Sequence, residues 1–331
     1  MPRRSAQGER ILALLQQGEG FVSSQEICRQ LRISRAGVWK QIQGLRRQGH
    51  DILGVSSQGY RLVQASDRLR LLEAHPGIDT GLIGNRIIVK EETDSTNEDL
   101  WRLGEQGVAE GTVVLAERQR KGKGRRGRQW ISPAGRNLYL SVLLQPPLMP
   151  GEAVLLTLLA AVQLCKTMEE IFLLQPRIKW PNDVLLDGKK IAGILAEMHA
   201  EQEHIHFLIL GIGVNLNMTA EMFPPDIRYP ATSLRMVLGR VVDRVAFTRK
   251  YLENMDNGYA SFLKEGASSV RQDWLQLCAH TDREIEVNTS KGTRRGRFGG
   301  IDDDGALILL ISKHRKEKIR AGDVIRVFTD L

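Results

Sequence analysis

The stretch RIKWPNDVLLDGKKIAGILAE, residues 177–197, admits very few layouts. Pro181 withholds a backbone donor and stops a helix, the apolar runs on either side are short, and Asp187-Gly188 is the dipeptide of a two-residue hairpin turn. The segment therefore reads as a strand, a Pro turn carrying Asn182 and Asp183, a second strand, a tight turn, and a third strand from Lys189. The turn sets Leu186 opposite Lys189 and brings Lys190 within a short reach of the strand that follows Asp183. An acid and an amine then face one cavity. A chain of 331 residues that is 42% apolar can bury this ribbon in a sizeable core, with room for two or three domains.

Other segments extend the same β-rich region. FLILGIGVNLN, from Phe207, reads as an apolar strand that breaks at Gly211 and Gly213, where missing side chains let a ligand approach the backbone, followed by Asn215. NRIIVKEETDSTNEDLWRLGEQG reads as a strand, then DST at a helix N-terminus with Ser95 or Thr96 as the cap, then the helix. GTVVLAERQ is a strand running into RKGKGRRGRQW, residues 120–130. Gly122, Gly124 and Gly127 of that loop satisfy G-x-G-x-x-G, but a dinucleotide loop must enter a helix, and RQWISPAGRNLYLSVLLQP alternates as a strand after Pro133 and Gly135. A kinase-type loop lacks its partners, since the chain has no H-R-D and no D-F-G, and the Walker pattern is absent. What remains is a loop between two strands with Lys121, Lys123, Arg125, Arg126 and Arg128 projecting. Such a density of like charge predicts a segment mobile until an anion arrives, and a merely solvated basic loop fits the residues equally.

The first 65 residues have a different texture. They hold ten Lys or Arg against four Asp or Glu, and so carry six of the chain's eight net positive charges. GERILALLQQG predicts a helix with Ile11, Leu12, Leu14 and Leu15 inward, ended by Gly18. SSQEICRQLRI predicts a second, with Ser23 and Glu26 as a capping box and Ile27 and Leu31 on one face. Ser34 caps a third, RAGVWKQIQGLRRQG, whose Val38, Ile42 and Leu45 form the buried stripe and leave Arg35, Lys40, Gln41, Arg46 and Arg47 mostly outside. DILGVSSQGYRLV then makes a hairpin wing around Ser57, Gln58 and Gly59. The candidate DNA contacts are Ser34, Arg35, Lys40, Arg46 and Arg47, because the polar tip of the third helix and the local charge suit the major groove and phosphates; a protein-binding three-helix knot with a solvated basic face is the alternative.

Asp67 to about Ile83 reads as the charged connection between the two regions. At the other end, REIEVNTSKGTRRGRFGGIDDDGALILLISKHRKEKIRAGDVIRVF alternates apolar and polar residues between Gly-rich turns and predicts a small barrel, with Arg294, Arg295 and Arg297 on a solvated hairpin. The expected fold class is α+β: a winged helix-turn-helix at 1–66, a linker and central mixed-sheet domain at 67–276, and a small β-barrel at 277–331. AVLLTLLAAVQL, from Ala153, is too short for a membrane span and reads as a buried helix, and ILALL near the start is too short for a signal sequence, so no membrane partner is expected. Cys28, Cys165 and Cys278 lie far apart, which suits neither disulfides nor a zinc cage and points to a reducing cytoplasm. His199, His204 and His206 suggest a metal, but HIHF, from His204, alternates as a strand with a polar face, and no metal-ligand set is assigned to them.

Taken together, DSTN at 94–97, GKGRRGRQW at 122–130, KWPND at 179–183, KKIAGIL at 189–195 and GIGVN at 211–215 resemble the biotin protein ligases in type, order and spacing. With the winged helix-turn-helix in front, the chain is similar to the bifunctional bacterial form, ligase and biotin-operon repressor. The resemblance implies ATP, Mg2+ and biotin as ligands, a biotin carboxyl carrier domain and operator DNA as partners, and a homodimer once the adenylate is bound. It implies that Lys190, Asp183 and Arg125 carry the chemistry, with Lys190, Arg125, Arg126 and Lys123 neutralising carboxylate and phosphates. It places Ser95, Thr96, Asn97, Gln119, Lys123, Gly124, Arg125, Lys190 and Gly193 around biotin. Arg126, Arg128, Trp130, Asn182 and Asn215 fall to the nucleotide, and Asp183 and Asn215 help to place Mg2+. Trp130 walls the pocket or belongs to the core, and Trp180 reads as core. Lys123 departs from the family's usual Arg and offers a point charge in place of a planar fork. A lipoate-type ligase and a non-catalytic DNA-binding biotin sensor are the alternatives.

Overall fold

A computed structural model of the chain describes residues 3–17, 20–47, 50–64, 69–74, 81–227, 229–312 and 314–328. They form two compact units, Met1–His75 and Pro76–Leu331. The first contains α1 (Arg3–Gln17), α2 (Ser24–Leu31), α3 (Arg35–Arg47) and the antiparallel wing of β1 (Asp51–Val55) and β2 (Gly59–Gln64). Its core joins Ile11 and Leu15 of α1, Ile27 of α2, Val38, Ile42 and Leu45 of α3, and Ile52 of the wing, while Leu12 and Leu31 are only partly buried. The Ser23 side chain caps α2 by accepting from the Glu26 N–H at 3.1 Å. The Glu26 carboxylate does not complete a capping box; it accepts from Arg29 and Gln30, which lie one turn on. Gly18 falls outside the described residues.

The connection expected from Asp67 to Ile83 also lies partly outside them. Within it Arg70–Ala74 forms a short helix, α4, with Leu69 and Leu72 fully buried.

The second unit is built on a seven-stranded sheet. Its strands are β3 (Ile87–Lys90), β4 (Val113–Ala116), β5 (Leu138–Leu144), β6 (Arg177–Lys179), β7 (Asp183–Leu186), β8 (Lys189–Ala200) and β9 (Ile205–Val214), in the order β3-β4-β5-β9-β8-β7-β6. Only β3 and β4 run parallel, with α5 (Thr96–Glu105) crossing between them; the other neighbours are antiparallel. All seven residues of β5 are buried, so both faces of the sheet are covered. Leu100 of α5 closes a cluster with Val114, Leu143, Phe207 and Ile209. Thirteen of the nineteen residues of α6 (Val154–Phe172) are buried. The helix is long and apolar enough to cross a membrane, but 78% of its apolar window is inside the protein, packed on β6–β9 and on α8 (Arg244–Glu265). At roughly 1.5–3 kcal/mol per buried Leu, this helix is a principal stabiliser of the unit.

After α7 (Leu234–Leu238), α8 and α9 (Ala267–Leu277) comes a five-stranded antiparallel sheet. Its strands are β10 (Glu284–Thr289), β11 (Gly292–Ile301), β12 (Leu307–Ser312), β13 (Arg315–Ile319) and β14 (Asp323–Phe328), in the order β13-β12-β11-β10-β14. This is the small β domain that the alternation predicts as a barrel, with β13 and β14 as the outer strands of the sheet. Arg294, Arg295 and Arg297 lie on β11 and pair with Glu317, Glu284 and Asp282. We propose a domain boundary near 276/277, where the helices end and the second sheet begins.

Candidate active site

One register line crosses five strands. Tyr139 of β5 faces Gly213 of β9, which faces Gly193 of β8, which faces Asp183 of β7, which faces Lys179 of β6. The two glycines between Tyr139 and Asp183 leave the sheet bare, and a cavity of about 320 Å³ lies over them. The strand does not break at Gly211 and Gly213, as expected from sequence: β9 runs through both, since the ladders to β5 and β8 are complete there. What the glycines admit is side chains. A Cβ on Gly213 would sit 2.5 Å from the Trp130 ring, and one on Gly211 would sit 2.2 Å from Asn97 Oδ1.

Asp183 is 9% exposed, and its carboxylate is 2.6 Å from the Lys190 ammonium and 3.9 Å from that of Lys179. Lys190 also lies 5.5 Å from the Trp130 ring centre. Its backbone is held by Pro230 O and by the Thr232 N–H, so the chain at 229–232 runs along β8 and closes that side of the cavity. The ammonium of Lys179 sits 3.8 Å over the ring of Tyr229. Burial pulls its pKa below the ordinary lysine value, and the nearby Lys190 adds to this while Asp183 opposes it. The cationic end of the cavity thus has two ammonium groups on one carboxylate.

The other end is polar and neutral. Ser95 holds the N-cap position of α5 but makes no capping bond with its side chain. Gln119, from the loop after β4, does this instead: its Oε1 accepts from the Thr96 N–H at 2.9 Å and lies 3.2 Å from the Thr96 hydroxyl. Gln119 Nε2 donates to Ser132. Ser141 Oγ is 2.7 Å from the Thr96 hydroxyl and donates to Asn97 Oδ1 at 2.6 Å.

The basic loop is not a free cluster of like charge. Asp323, the first residue of β14, takes Arg125 and Arg128 at 2.7 Å each and lies 3.5 Å from Arg126. Arg125 donates in addition to Gly322 O and to Asn182 Oδ1, and Arg126 to Asn288 O. Burial would raise the Asp323 pKa, but Arg125, Arg128 and Arg126 outweigh it and hold the carboxyl below its ordinary value. Lys123 points away from the cationic end, to Glu98 at 2.9 Å and Glu197 at 3.8 Å, and Lys121 pairs with Asp94. The Gly124 N–H to Arg128 O bond (2.7 Å) and the Trp130 N–H to Gly122 O bond (2.8 Å) fold the segment on itself. The expected mobility rested on uncompensated repulsion, and carboxylates from distant segments remove it.

Of the residues singled out for biotin, nucleotide or catalysis, all but Arg126 line the one cavity. Trp130 walls it, with its buried indole N–H unpaired. Trp180 is 1% exposed and donates to Gly305 O; it is core, with an edge on the cavity. Its own N–H donates to Nε2 of the buried His280. The Trp180-Pro181 peptide is cis. Asn215 lines the cavity too, but its amide is engaged with Asn137 and Thr232 O, tying the ends of β5 and β9 together. Lys179, Ser141, Glu197, Tyr229 and Asp323 belong to the site and were not picked out from sequence; Lys179 alone had a local signal, four residues before Asp183. Two carboxylates line the cavity, each beside cations: Asp323 is taken up by Arg125 and Arg128, and Asp183 by Lys190. Asp183, at the turn beside Asn182, is the carboxylate that fits a magnesium ion arriving on nucleotide phosphates and keeping several waters. Among the described residues no group of three or more His, Cys, Asp or Glu is set to hold a metal.

In the first unit Ser34 caps α3 through the Gly37 N–H, and Ser34, Arg35 and Lys40 are exposed. Arg46 is committed nearby, donating twice to Ile52 O of the wing. The side chain of Arg47 lies outside the described residues.

Comparison with known proteins gives three matched families. Residues 89–215 match the Biotin/lipoate A/B protein ligase family, residues 9–61 an HTH domain, and residues 280–327 the Biotin protein ligase C terminal domain. The chain is 35% identical to the bifunctional ligase/repressor BirA of Bacillus subtilis over 93% of its own length and 95% of the relative's. It is 30% identical to the protein of the same name from Escherichia coli, over 91% of each. The solved structure of a biotin protein ligase from Aquifex aeolicus in complex with biotin and ATP covers 72% of this chain and 97% of its own, with a TM-score of 0.62 and 30% identity.

Proposed function

The chain belongs to the biotin protein ligases, in their bifunctional ligase/repressor form, and on that premise we propose that its cavity joins biotin to ATP and then to a carrier lysine. A biotin carboxylate oxygen bonds to the α-phosphorus, the bond from that phosphorus to the bridging oxygen breaks, and pyrophosphate leaves. The carrier amine then attacks the acyl carbon of biotinyl-5′-AMP, an amide forms, AMP departs, and the amine loses its proton.

What carries the reading is the polarity of the cavity: neutral donors and acceptors at the Thr96, Asn97 and Gln119 end, and Lys190, Lys179 and Arg125 at the other. A urea ring needs the first, and two anions that must meet need the second. Ser95, Thr96, Asn97, Gln119, Gly124 and Gly193 surround biotin, Lys190 and Arg125 take its carboxylate and the α-phosphate, and Arg126, Arg128, Trp130, Asn182 and Asn215 serve the nucleotide. Asp183 and Asn215 would help to place a magnesium ion, which would supply charge neutralisation on the phosphates. The enzyme works in a reducing cytoplasm, which its free cysteines suit.

The helix-turn-helix unit represses the genes of biotin synthesis, with the adenylate as corepressor. One small winged unit makes few phosphate contacts, so a dimer formed on adenylate binding, engaging two half-sites together, gives the affinity. Protein, ATP, Mg2+, labelled biotin and a purified carrier domain, with lipoate as competitor, test the ligase reading: label on the carrier is expected, and its absence or equal competition by lipoate overturns it. Sedimentation and operator binding should shift together as biotin and ATP are added; a dimer equilibrium unmoved by the adenylate overturns the switch.

A further inference from the structure

Glu197 stands on β8 four residues past Gly193, at the neutral end of the cavity and outside the family motifs read from sequence. One of its oxygens, Oε2, accepts from Asn97 Nδ2 at 2.7 Å, and the other, Oε1, lies 3.8 Å from the Lys123 ammonium. Asn97 is 4% exposed and packed so closely over Gly211 that no Cβ fits there. Its amide has two ends of nearly equal shape and opposite hydrogen-bonding sense. A carboxylate can only accept, so Glu197 turns the NH2 end towards itself and leaves Oδ1 for the Ser141 hydroxyl, which adjoins Thr96, itself beside Gln119 Oε1.

The same carboxylate reaches the basic loop. Lys123, on that loop, is clasped between Glu197 of the sheet and Glu98 of α5. A surface ion pair alone contributes little. Here the pair shares its carboxylate with a buried amide, so the loop's position and the amide's orientation are coupled through one group.

We propose that Glu197 is a positioning residue of the biotin pocket, holding Asn97 with one carboxylate oxygen and Lys123 with the other, so that seating the basic loop and orienting the pocket's amide are one event. The proposal rests on the biotin reading of the cavity. It assigns Lys123 to closure of the neutral end and leaves neutralisation of substrate charge to Lys190, Lys179 and Arg125. Because the network lies away from Asp183 and Lys190, its loss weakens biotin binding equally in ground and transition states, raising KM for biotin with little change in kcat.

Steady-state kinetics on the full chain test this. Glu197→Ala, which strands the buried Nδ2, is expected to raise KM for biotin about tenfold. Glu197→Gln, which can still offer an oxygen to Asn97 but no charge to Lys123, raises it about threefold, and Lys123→Met by a similar factor. The double variant Lys123→Met/Glu197→Gln is expected to be no worse than either single variant. KM for ATP and kcat stay within about twofold, and unchanged circular dichroism shows that the variants fold. An unaltered KM for biotin in Glu197→Ala overturns the proposal, as does full multiplicativity of the two single effects or a fall confined to kcat. If the wild-type chain itself transfers no biotin, it is the underlying reading that fails.

Discussion

Lys190 faces Asp183 at 2.6 Å only because β8 slips by one residue against β7. Asp183 pairs with Gly193 and Val184 with Ala192, but Leu185 then pairs with Lys190, leaving Ile191 as the extra residue of a bulge. Side chains alternate along a strand, so without the slip Lys190 would lie on the face opposite Asp183. Gly193 completes the arrangement, since the Lys190 stem passes 3.2 Å from where its Cβ would stand.

Lys190→Ala is therefore expected to cut adenylate formation about a hundredfold to a thousandfold, roughly 2.7 to 4 kcal/mol of lost preorganised stabilisation. Pyrophosphate release measures it, and a rate near wild type would show that the ammonium does not act on the transition state.

Asp323 neutralises the basic loop, so Asp323→Asn should speed tryptic cutting within 120–128, while biotin with ATP should slow it in the wild type. The clamp also has a pH signature. The folded carboxyl titrates below its unfolded value of about 3.9, so its contribution is fully present above that pH and is lost as pH falls through the depressed folded value. The difference in unfolding free energy between wild type and Asp323→Asn should be about 2 kcal/mol and level from pH 5 to 8, shrinking only in stronger acid. A difference that grew as pH fell from 7 to 5 would exclude this carboxylate as the source.

Gly213→Ala places a methyl group 2.5 Å from the Trp130 ring, which must move. Trp130 fluorescence should shift in the unliganded protein, isolated by subtracting the spectrum of a Trp130→Phe variant. Adenylate formation should fall about tenfold or more, in keeping with an overpacking cost of 1–3 kcal/mol. An unchanged spectrum would mean that the ring does not rest on Gly213.

Arg35→Ala or Lys40→Ala, on the exposed side of α3, should weaken operator binding and lower its salt slope by about one, leaving biotin transfer unaltered. Titrations at several salt concentrations, alongside the transfer assay, decide this; a variant with unchanged salt dependence makes no phosphate contact.

Much of the molecule was legible in sequence because its signals are local. The Ser23 and Ser34 caps, the stripe of Val38, Ile42 and Leu45, and the Asp187-Gly188 turn each act within a few residues, and the structure has them where the pattern put them. The bulge at Ile191 leaves no comparable mark, since it depends on how β7 and β8 settle against their neighbours. The partners of the basic loop were invisible for a different reason: Arg125 and Asp323 are 198 positions apart, and Lys123 meets Glu197 from another strand. A run of like charge announces that counter-charges are needed but not where they come from. The same limit applied to the α5 cap, which Gln119 supplies from 23 residues away.

The dependence of the basic loop on β14 sets where this chain can be cut for use as a tool. Asp323 and Gly322 hold Arg125, while Gly305 and His280 hold Trp180 at the turn that presents Asp183. Residues 1–75 form a compact unit of their own, and none of its described residues lines the cavity, so a tagging enzyme without them is expected to keep biotin transfer and to lose DNA binding. Trimming the tail to shrink the tag further would remove the partners of Arg125 and Arg128. Fusions are therefore expected to be tolerated better at the front than in exchange for the final sheet, whose Asp323 and Gly322 hold Arg125.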